Sequence, residues 1–338
     1  MDKKQVKQIL DNCSLPGDCS NAEIKETHIS WIILTKQFAY KIKRPVHYSF
    51  LDFSSSEKRK FFCAEELWLN RRMEPEMYLD VLPVTKNLVI VEGEPKTEVI
   101  DYALKMKRMD NSKEMDAMLR ENKVTEQHIE KLAEKIVRFH KDCKVVKNAF
   151  HTLNFHEKFA DLQNHADLVS ENLGEKWKEK IDNCVDKSFK YLNSIRNLSN
   201  ERVISGFHRD CHGDLNARNI FLYDEPVVFD CIEFNREYRQ IDVLNDIAFL
   251  CVDLDFFGRS DYSELFYKKY LDYSGWEDVP ETRQLFLYYK SYRANVRAKV
   301  TLLSAKNKKP DNAEKELNDA GKYIDLMEAY MEFMHTNN

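Results

Sequence analysis

The chain of 338 residues is long enough to bury one large or two modest cores. Its composition of 43% hydrophobic, 32% charged and 12% aromatic residues reads as globular, neither disordered nor membrane-like. A net charge of -5 supplies no domain-wide basic field, so the expectation is a protein that engages neither nucleic acid nor a membrane. Eight glycines stand where average usage gives roughly twenty-four, and neither G-x-G-x-x-G nor G-x-x-x-x-G-K-[ST] can be written, which excludes dinucleotide fingerprints and the P-loop.

The opening residues, MDKKQVKQILDNC, lack an apolar core of signal-peptide length, and no apolar stretch approaches the roughly eighteen residues of a membrane span. The eight cysteines form no C-x-x-C pair and read as reduced thiols in a cytoplasmic setting. From Ala22 to Met109, the segments Ile29–Thr35, Phe38–Lys43, Leu88–Glu92 and Val99–Met106 are β-branched or aromatic and turn-bounded, and they predict strands. Ser54 to Glu57 is an N-cap region for a helix running to Met73, with Phe62, Glu66, Leu69 and Met73 on one stripe. After Asp110 the character turns helical. Thr125 caps a helix to His140 that carries Ile129, Leu132, Ile136 and Phe139, and residues 151 to 200 and 281 to 334 continue helical spacing. Asn307-Lys308-Lys309-Pro310 reads as a solvated loop. A strand-rich domain over residues 1–107 followed by a mainly helical one over 108–338 predicts the α+β class.

The chemistry lies between His208 and Phe249. His212-Gly213-Asp214-Leu215-Asn216-Ala217-Arg218-Asn219 fits H-x-D-L-x-x-x-N, a phosphoryl-transfer loop pattern. Ile220–Tyr223 and Val227–Phe229, apolar around the turn Asp224-Glu225-Pro226, predict a hairpin ending at Asp230. A turn centred between 224 and 225 pairs 222 with 227 and sets Asn219 opposite Asp230. Two oxygen ligands would then face each other, the protein's share of a magnesium site completed by phosphates and water. Asp214, five residues before Asn219, stands where such enzymes place the aspartate that takes the proton of the acceptor hydroxyl. His208-Arg209-Asp210 spells the kinase tripeptide, yet Leu215 occupies the metal-ligand position for that register, so the register falls on Asp214. His212 reads as a brace of the loop. Upstream, Phe38-Ala39-Tyr40-Lys41 has the shape of a strand carrying a phosphate-binding lysine. The period of two sets Ala39 beside Lys41, leaving room for adenine, with Lys43 on the same face as the alternative lysine. Glu66, an acid within an apolar stripe, is the expected partner of Lys41, and Glu65 lies slightly off that stripe.

With these residues the chain resembles the aminoglycoside phosphotransferase-like kinases, and a bacterial branch of them in particular. The resemblance rests on the runs 26–31, 39–45, 51–53 and 69–72, on RDCHGDLNARNIFL from Arg209 to Leu222, and on 229–234, 241–250 and 292–300. It implies a bilobal protein-kinase-like fold, with a small antiparallel-sheet N-lobe bearing one helix and a larger, mainly helical C-lobe. It further implies ATP and magnesium as cofactors, transfer to an acceptor hydroxyl of a small molecule, and the roles above for Lys41, Asp214, Asn219 and Asp230, with Asp246 bracing the catalytic loop from below. Longer relatives carry a C-terminal P-loop domain, and these 338 residues hold no Walker signature.

Departures from that pattern are Asn216, where relatives usually have histidine, and Asp230-Cys231-Ile232-Glu233, which lacks the glycine of D-F-G. Glu233 is open between a second metal contact and a structural acid. Acids at Asp253, Asp255, Asp261 and Glu264 suit a cationic acceptor and the stripe Lys290, Arg293, Arg297 an anionic one, or the two sets pair with each other. A protein kinase acting on a partner protein and a nucleotide-binding pseudokinase scaffold are the competing readings. Since no glycine-rich loop exists, the turn Thr27-His28-Ile29-Ser30 is expected to meet the phosphates through the hydroxyls of Thr27 and Ser30 and nearby backbone N–H groups.

Overall fold

Alternation along one strand divides the apolar surface of the sheet in two. In Phe38–Lys43, Tyr40 and Ile42 lie on one face and Ala39, Lys41 and Lys43 on the other. The computed structural model describes residues 1–48, 50–148, 152–306 and 310–336. It forms two compact units, one of Met1–Ala117 with Arg218–Arg239 and one of Met118–Ala217 with Gln240–Asn338.

The first unit holds a five-stranded antiparallel sheet in the order Glu23–Glu26, Ser30–Leu34, Phe38–Lys43, Val99–Lys107, Tyr78–Thr85. The three central strands match those expected. Leu88–Glu92 is no strand: it contributes only an isolated bridge, Val84 to Ile90. The two unanticipated strands of this sheet are both edges. Glu23–Glu26 is charged and Tyr78–Thr85 contains Pro83, features that an edge tolerates and a central strand does not.

One face of the sheet is covered by helix Lys3–Asp11, which the sequence reading did not include. Asp2 and Gln5 form its capping box, and Val6 and Ile9 pack with Leu15, Trp31, Ile33, Tyr40 and Ile42. The loop after it is closed by a Cys13–Cys19 disulfide, which corrects the reading of all eight cysteines as thiols; the other six are buried and form no disulfide. On the other face lies helix Ser56–Arg71, capped by Ser55. Its buried side is Arg59, Cys63, Glu66, Leu69 and Asn70, more polar than the predicted stripe, because it meets charged partners: Arg59 grips Asp101 with two bonds of 2.8 and 2.9 Å. Phe62 is only half-buried, and Met73 lies beyond the helix end.

The second unit is mainly helical. Thr125 caps Glu126–Asp142 as expected. Helices Ser260–Ser274, Pro280–Ala305 and Pro310–Thr336 surround Val243–Phe256, which is buried from Val243 to Leu254. Three polar residues in that buried helix, Asn245, Asp246 and Asp253, therefore need partners. The predicted loop at 307–309 lies outside the described residues, and Pro310 opens a helix. Among the described residues no helix is long and apolar enough to cross a membrane.

Candidate active site

In the first unit Lys41 sits mid-strand, 8% exposed. Its Nζ donates to Glu66 Oε1 at 2.8 Å and to Asp230 Oδ1 at 2.6 Å. Burial opposes the charge on Lys41, but the carboxylates of Asp230 and Glu66 outweigh it and hold the ammonium well above its usual range. Glu66, fully buried, is thus the partner and Glu65 is not. Lys43 is held there as well, donating to Glu66 Oε2 at 2.6 Å and to the buried Glu233. Beside Lys41, Ala39 joins Leu34, Leu104 and Met106 in an apolar cluster edged by the half-buried Ile32, Met109, Val227 and Phe229.

The hairpin after the 212–219 loop is offset by one residue from its predicted register. Phe221 pairs with Val227 and Ile220 with Val228, and Phe229 N–H donates to the Asn219 carbonyl at 3.0 Å, so Asn219 opposes Phe229 and not Asp230. The cause is local: Leu222 N–H donates to the Lys113 carbonyl at 2.7 Å and leaves the ladder early. A one-residue slip would turn Asp230 to the other face. Asp230 instead leaves the strand with φ +64°, and its carboxylate reaches Lys41. Three side chains to which the sequence assigns no role fasten this segment. Glu74 accepts from Val228 N–H at 2.8 Å, the Tyr78 hydroxyl from Asp230 N–H at 3.0 Å, and Asn70 Oδ1 from Cys231 N–H at 2.9 Å. Asn70, four residues after Glu66, was the one with a legible signal, a polar residue on the buried side of the helix.

The carboxylate of Asp230, 40% exposed, and the side-chain oxygen of Asn219 are hard oxygen donors in the number a magnesium ion takes from protein, so the donor set fits that ion. In the turn at 27–30 the Thr27 hydroxyl accepts from Ser30 N–H at 2.9 Å and donates to Ser30 O at 3.1 Å. Ser30 is fully buried and its hydroxyl has no partner among the described residues. The expectation that Ser30 offers its hydroxyl to phosphates is therefore corrected: in this conformation the strand encloses it. Thr27 is exposed.

In the second unit Asp214 lies half-buried in a loop fastened at both ends by one helix. Asp246 accepts from Gly213 N–H at 2.7 Å and His212 N–H at 3.1 Å, and its Oδ2 also meets His140 Nε2 at 3.0 Å. Burial pushes the Asp246 carboxyl up, but the His140 hydrogen bond and the charge of His140, His212 and Arg293 outweigh it and hold it at about 2. His140, Cys211 and Asp246 bring possible ligand atoms within 4.8 Å of one another, yet both Asp246 oxygens are already committed to the loop. About two turns further along, Asp253 accepts from Ala217 N–H at 3.0 Å. His212 Nδ1 faces Asp214 N–H at 3.3 Å, in keeping with a brace, and Asn216 N–H and Nδ2 donate to the Asp214 carbonyl at 2.9 and 3.2 Å. His208-Arg209-Asp210 is a strand paired with Gln240–Asp242.

The acidic and basic sets largely pair with each other. Lys290 meets Asp255 at 2.5 Å, Arg297 meets Asp253 at 3.1 Å, Arg259 meets Asp261 and Arg283 meets Glu264. Arg293 instead donates to the Gly213 carbonyl at 3.2 Å and to Asn245 Oδ1 at 2.7 Å. Arg297 also donates to the Tyr323 hydroxyl, and Tyr323 stacks on Phe256 at 4.3 Å. Phe256 lines an open cleft of about 700 Å³ with Phe257, Arg120, Asn122, Asn318 and Lys322.

No protein-family model matches the chain. Uncharacterised proteins of Mycobacterium tuberculosis and Mycobacterium bovis are each 31% identical over 300 residues, covering 86% of this chain, and the match spans 57% of their own length. Among solved structures, choline kinase from Cryptosporidium parvum has a TM-score of 0.54 at 13% identity over 98% of this chain and 96% of its own. Ethanolamine kinase from Plasmodium vivax has 0.54 at 10% over 98% and 87%. Aminoglycoside 2'-phosphotransferase-IIIa in its GDP complex has 0.52 at 12% over 97% and 99%. The chain has the kinase-like α+β fold of the aminoglycoside phosphotransferases and the choline and ethanolamine kinases.

Proposed function

We propose that this chain is an aminoglycoside phosphotransferase-like kinase that moves the γ-phosphate of ATP to the hydroxyl of a small molecule with the help of magnesium. The observation that carries the reading is Lys41, joined at once to a helix carboxylate, Glu66, and to Asp230 beyond the hairpin. Three separate stretches of chain converge on that one ammonium, the arrangement phosphoryl transfer needs to hold a cation against phosphates. Residues 1–107 form the nucleotide-covering lobe in this reading and 108–338 the catalytic and acceptor lobe. Ala39 and its apolar neighbours receive adenine, and Lys41 and the 27–30 turn, through Thr27 and its backbone, receive the phosphates. Asn219 and Asp230 hold magnesium, which neutralises charge on the transferred group. Asp214 takes the proton of the acceptor hydroxyl. In this reading the protein acts in the cytoplasm: six buried thiols fit a reducing compartment, to which the Cys13–Cys19 disulfide is the exception.

A small-molecule acceptor is favoured over a protein by the cleft that Phe256 and Lys322 line, which is linked to the loop carrying Asp214 through Tyr323 and Asp253, the acceptor of Ala217 N–H. The structural neighbours named for choline, ethanolamine and aminoglycosides are in keeping with that class. A pseudokinase would lack a metal or base residue, whereas Lys41, Asp214, Asn219 and Asp230 are all present. Binding of a fluorescent ATP analogue tests the nucleotide half. Wild type should bind it more tightly with magnesium than without, and Asp230→Ala should lose most of that difference. An equal magnesium effect in Asp230→Ala would remove Asp230 from the metal site.

A further inference from the structure

The proposed mechanism uses Lys41, Glu66 and Asp230 and leaves Lys43 without a task. Yet Lys43 is 1% exposed, and a buried ammonium is costly unless it is paired. Its partners are two. Glu66 gives one oxygen to each lysine of the strand, 2.8 Å to Lys41 and 2.6 Å to Lys43, and Glu233 takes the other side of Lys43. The Phe53 ring, 4.7 Å from Nζ, covers it further. Burial opposes the charge on Lys43, but Glu233 and Glu66 outweigh it and keep the ammonium well above its usual range.

Charges therefore alternate without a break through Asp230, Lys41, Glu66, Lys43 and Glu233. Both ends of that series lie on the same short segment, three residues apart, so the segment is tied to the strand at two points. The second tie has a consequence for the first. Lys41 must reach phosphates while Glu66 and Asp230 stay in place, and a carboxylate served by one lysine is free to rotate with it. With Lys43 on its second oxygen, the Glu66 carboxylate is fixed in plane. With Glu233 on Lys43, residues 230–233 stay on the strand even when the bond between Lys41 and Asp230 is given up.

We infer that Lys43 and Glu233 are positioning residues for nucleotide and metal: they hold Glu66 and Asp230 in register with Lys41 before the nucleotide arrives. The inference rests on the phosphotransferase reading. Removing Lys43 alone leaves the buried Glu233 carboxylate without its cation and destabilises the fold, whereas removing both takes out the whole pair and leaves Glu66 on Lys41. The test is therefore the double variant Lys43→Met/Glu233→Gln, read by equilibrium binding of a fluorescent ATP analogue with and without magnesium and by thermal unfolding. The expected result is an unfolding temperature close to wild type together with magnesium-dependent binding weaker by about tenfold. Unchanged binding by the folded double variant would overturn the inference and leave the phosphotransferase reading standing. Absence of nucleotide binding by wild type would remove both. Should the double variant fail to fold, Glu233→Asp, which keeps the charge and shortens the tie, is expected to narrow the binding difference between magnesium and no magnesium. A wild-type difference in that variant would overturn the inference.

Discussion

Asp246 shows how a single buried carboxylate can organise a loop, here the one that carries Asp214. It receives two successive backbone N–H groups of the loop and a histidine, and its carboxyl is held at about 2 in the fold against 3.8 for an ordinary aspartate. A depressed carboxyl contributes stability that is fully present above the unfolded value and is lost as pH falls through the folded one. Asp246→Asn is accordingly expected to cost about 2 kcal/mol near neutrality. Urea unfolding at pH 7 and pH 3 would show the gap to wild type shrinking at the lower pH; an equal gap at both would mean the charge of Asp246 contributes nothing. At this scale the sequence was informative wherever a residue type is rare in its setting. An acid in an apolar helix stripe, Glu66, and a lysine in an apolar strand, Lys41, both announce partners. Ser30 misled because a hydroxyl in a turn and one at the start of a buried strand look the same in sequence. Glu74 and Tyr78 carried no signal, since an ordinary glutamate and tyrosine acquire their task only when the Asp230 segment packs on them.

Helix Ser56–Arg71 and the sheet are joined through charges as much as through apolar contact. Arg59 makes two bonds to the fully buried Asp101 and a third, of 2.9 Å, to the Phe53 carbonyl, while the Met1 ammonium reaches Asp101 at 3.1 Å. Removing Arg59 leaves Asp101 buried with less compensation, so Arg59→Met is expected to destabilise by roughly 3 to 5 kcal/mol. Adding Asp101→Leu should recover a large part of it. Chemical denaturation of the two variants beside wild type checks this, and a double variant no better than Arg59→Met would show that the helix is not held through this pair. The elements that sequence reading found are central ones, Ser30–Leu34, Phe38–Lys43 and Val99–Lys107, where β-branched and aromatic residues are dense. Those it missed are the edges, whose charged or proline-bearing sequences are suited to a strand with one neighbour. The hairpin offset has the same origin in context: the turn residues were correctly placed, but Leu222 is claimed by Lys113, which turn chemistry does not encode.

Across the whole molecule the proposed roles divide between the two units. The first carries the lysine pair, the metal donors and the apolar floor beside Ala39, and the second carries Asp214 in a loop fastened by Asp246 and Asp253. The α+β class and the kinase-like fold were legible from the strand-to-helix shift in the chain and from the run around Asp214. The nature of the acceptor was not, because the acids and bases that could have marked it are mostly spent on each other. The central claim is that this chain transfers phosphate and that Asp214 takes the acceptor proton. Its most direct measurement is transfer of label from γ-labelled ATP, with magnesium, to a small-molecule extract by wild type and by Asp214→Ala. The account predicts a labelled small molecule with wild type and none with Asp214→Ala, although the variant still binds nucleotide. Label transfer at the same rate by Asp214→Ala would contradict it.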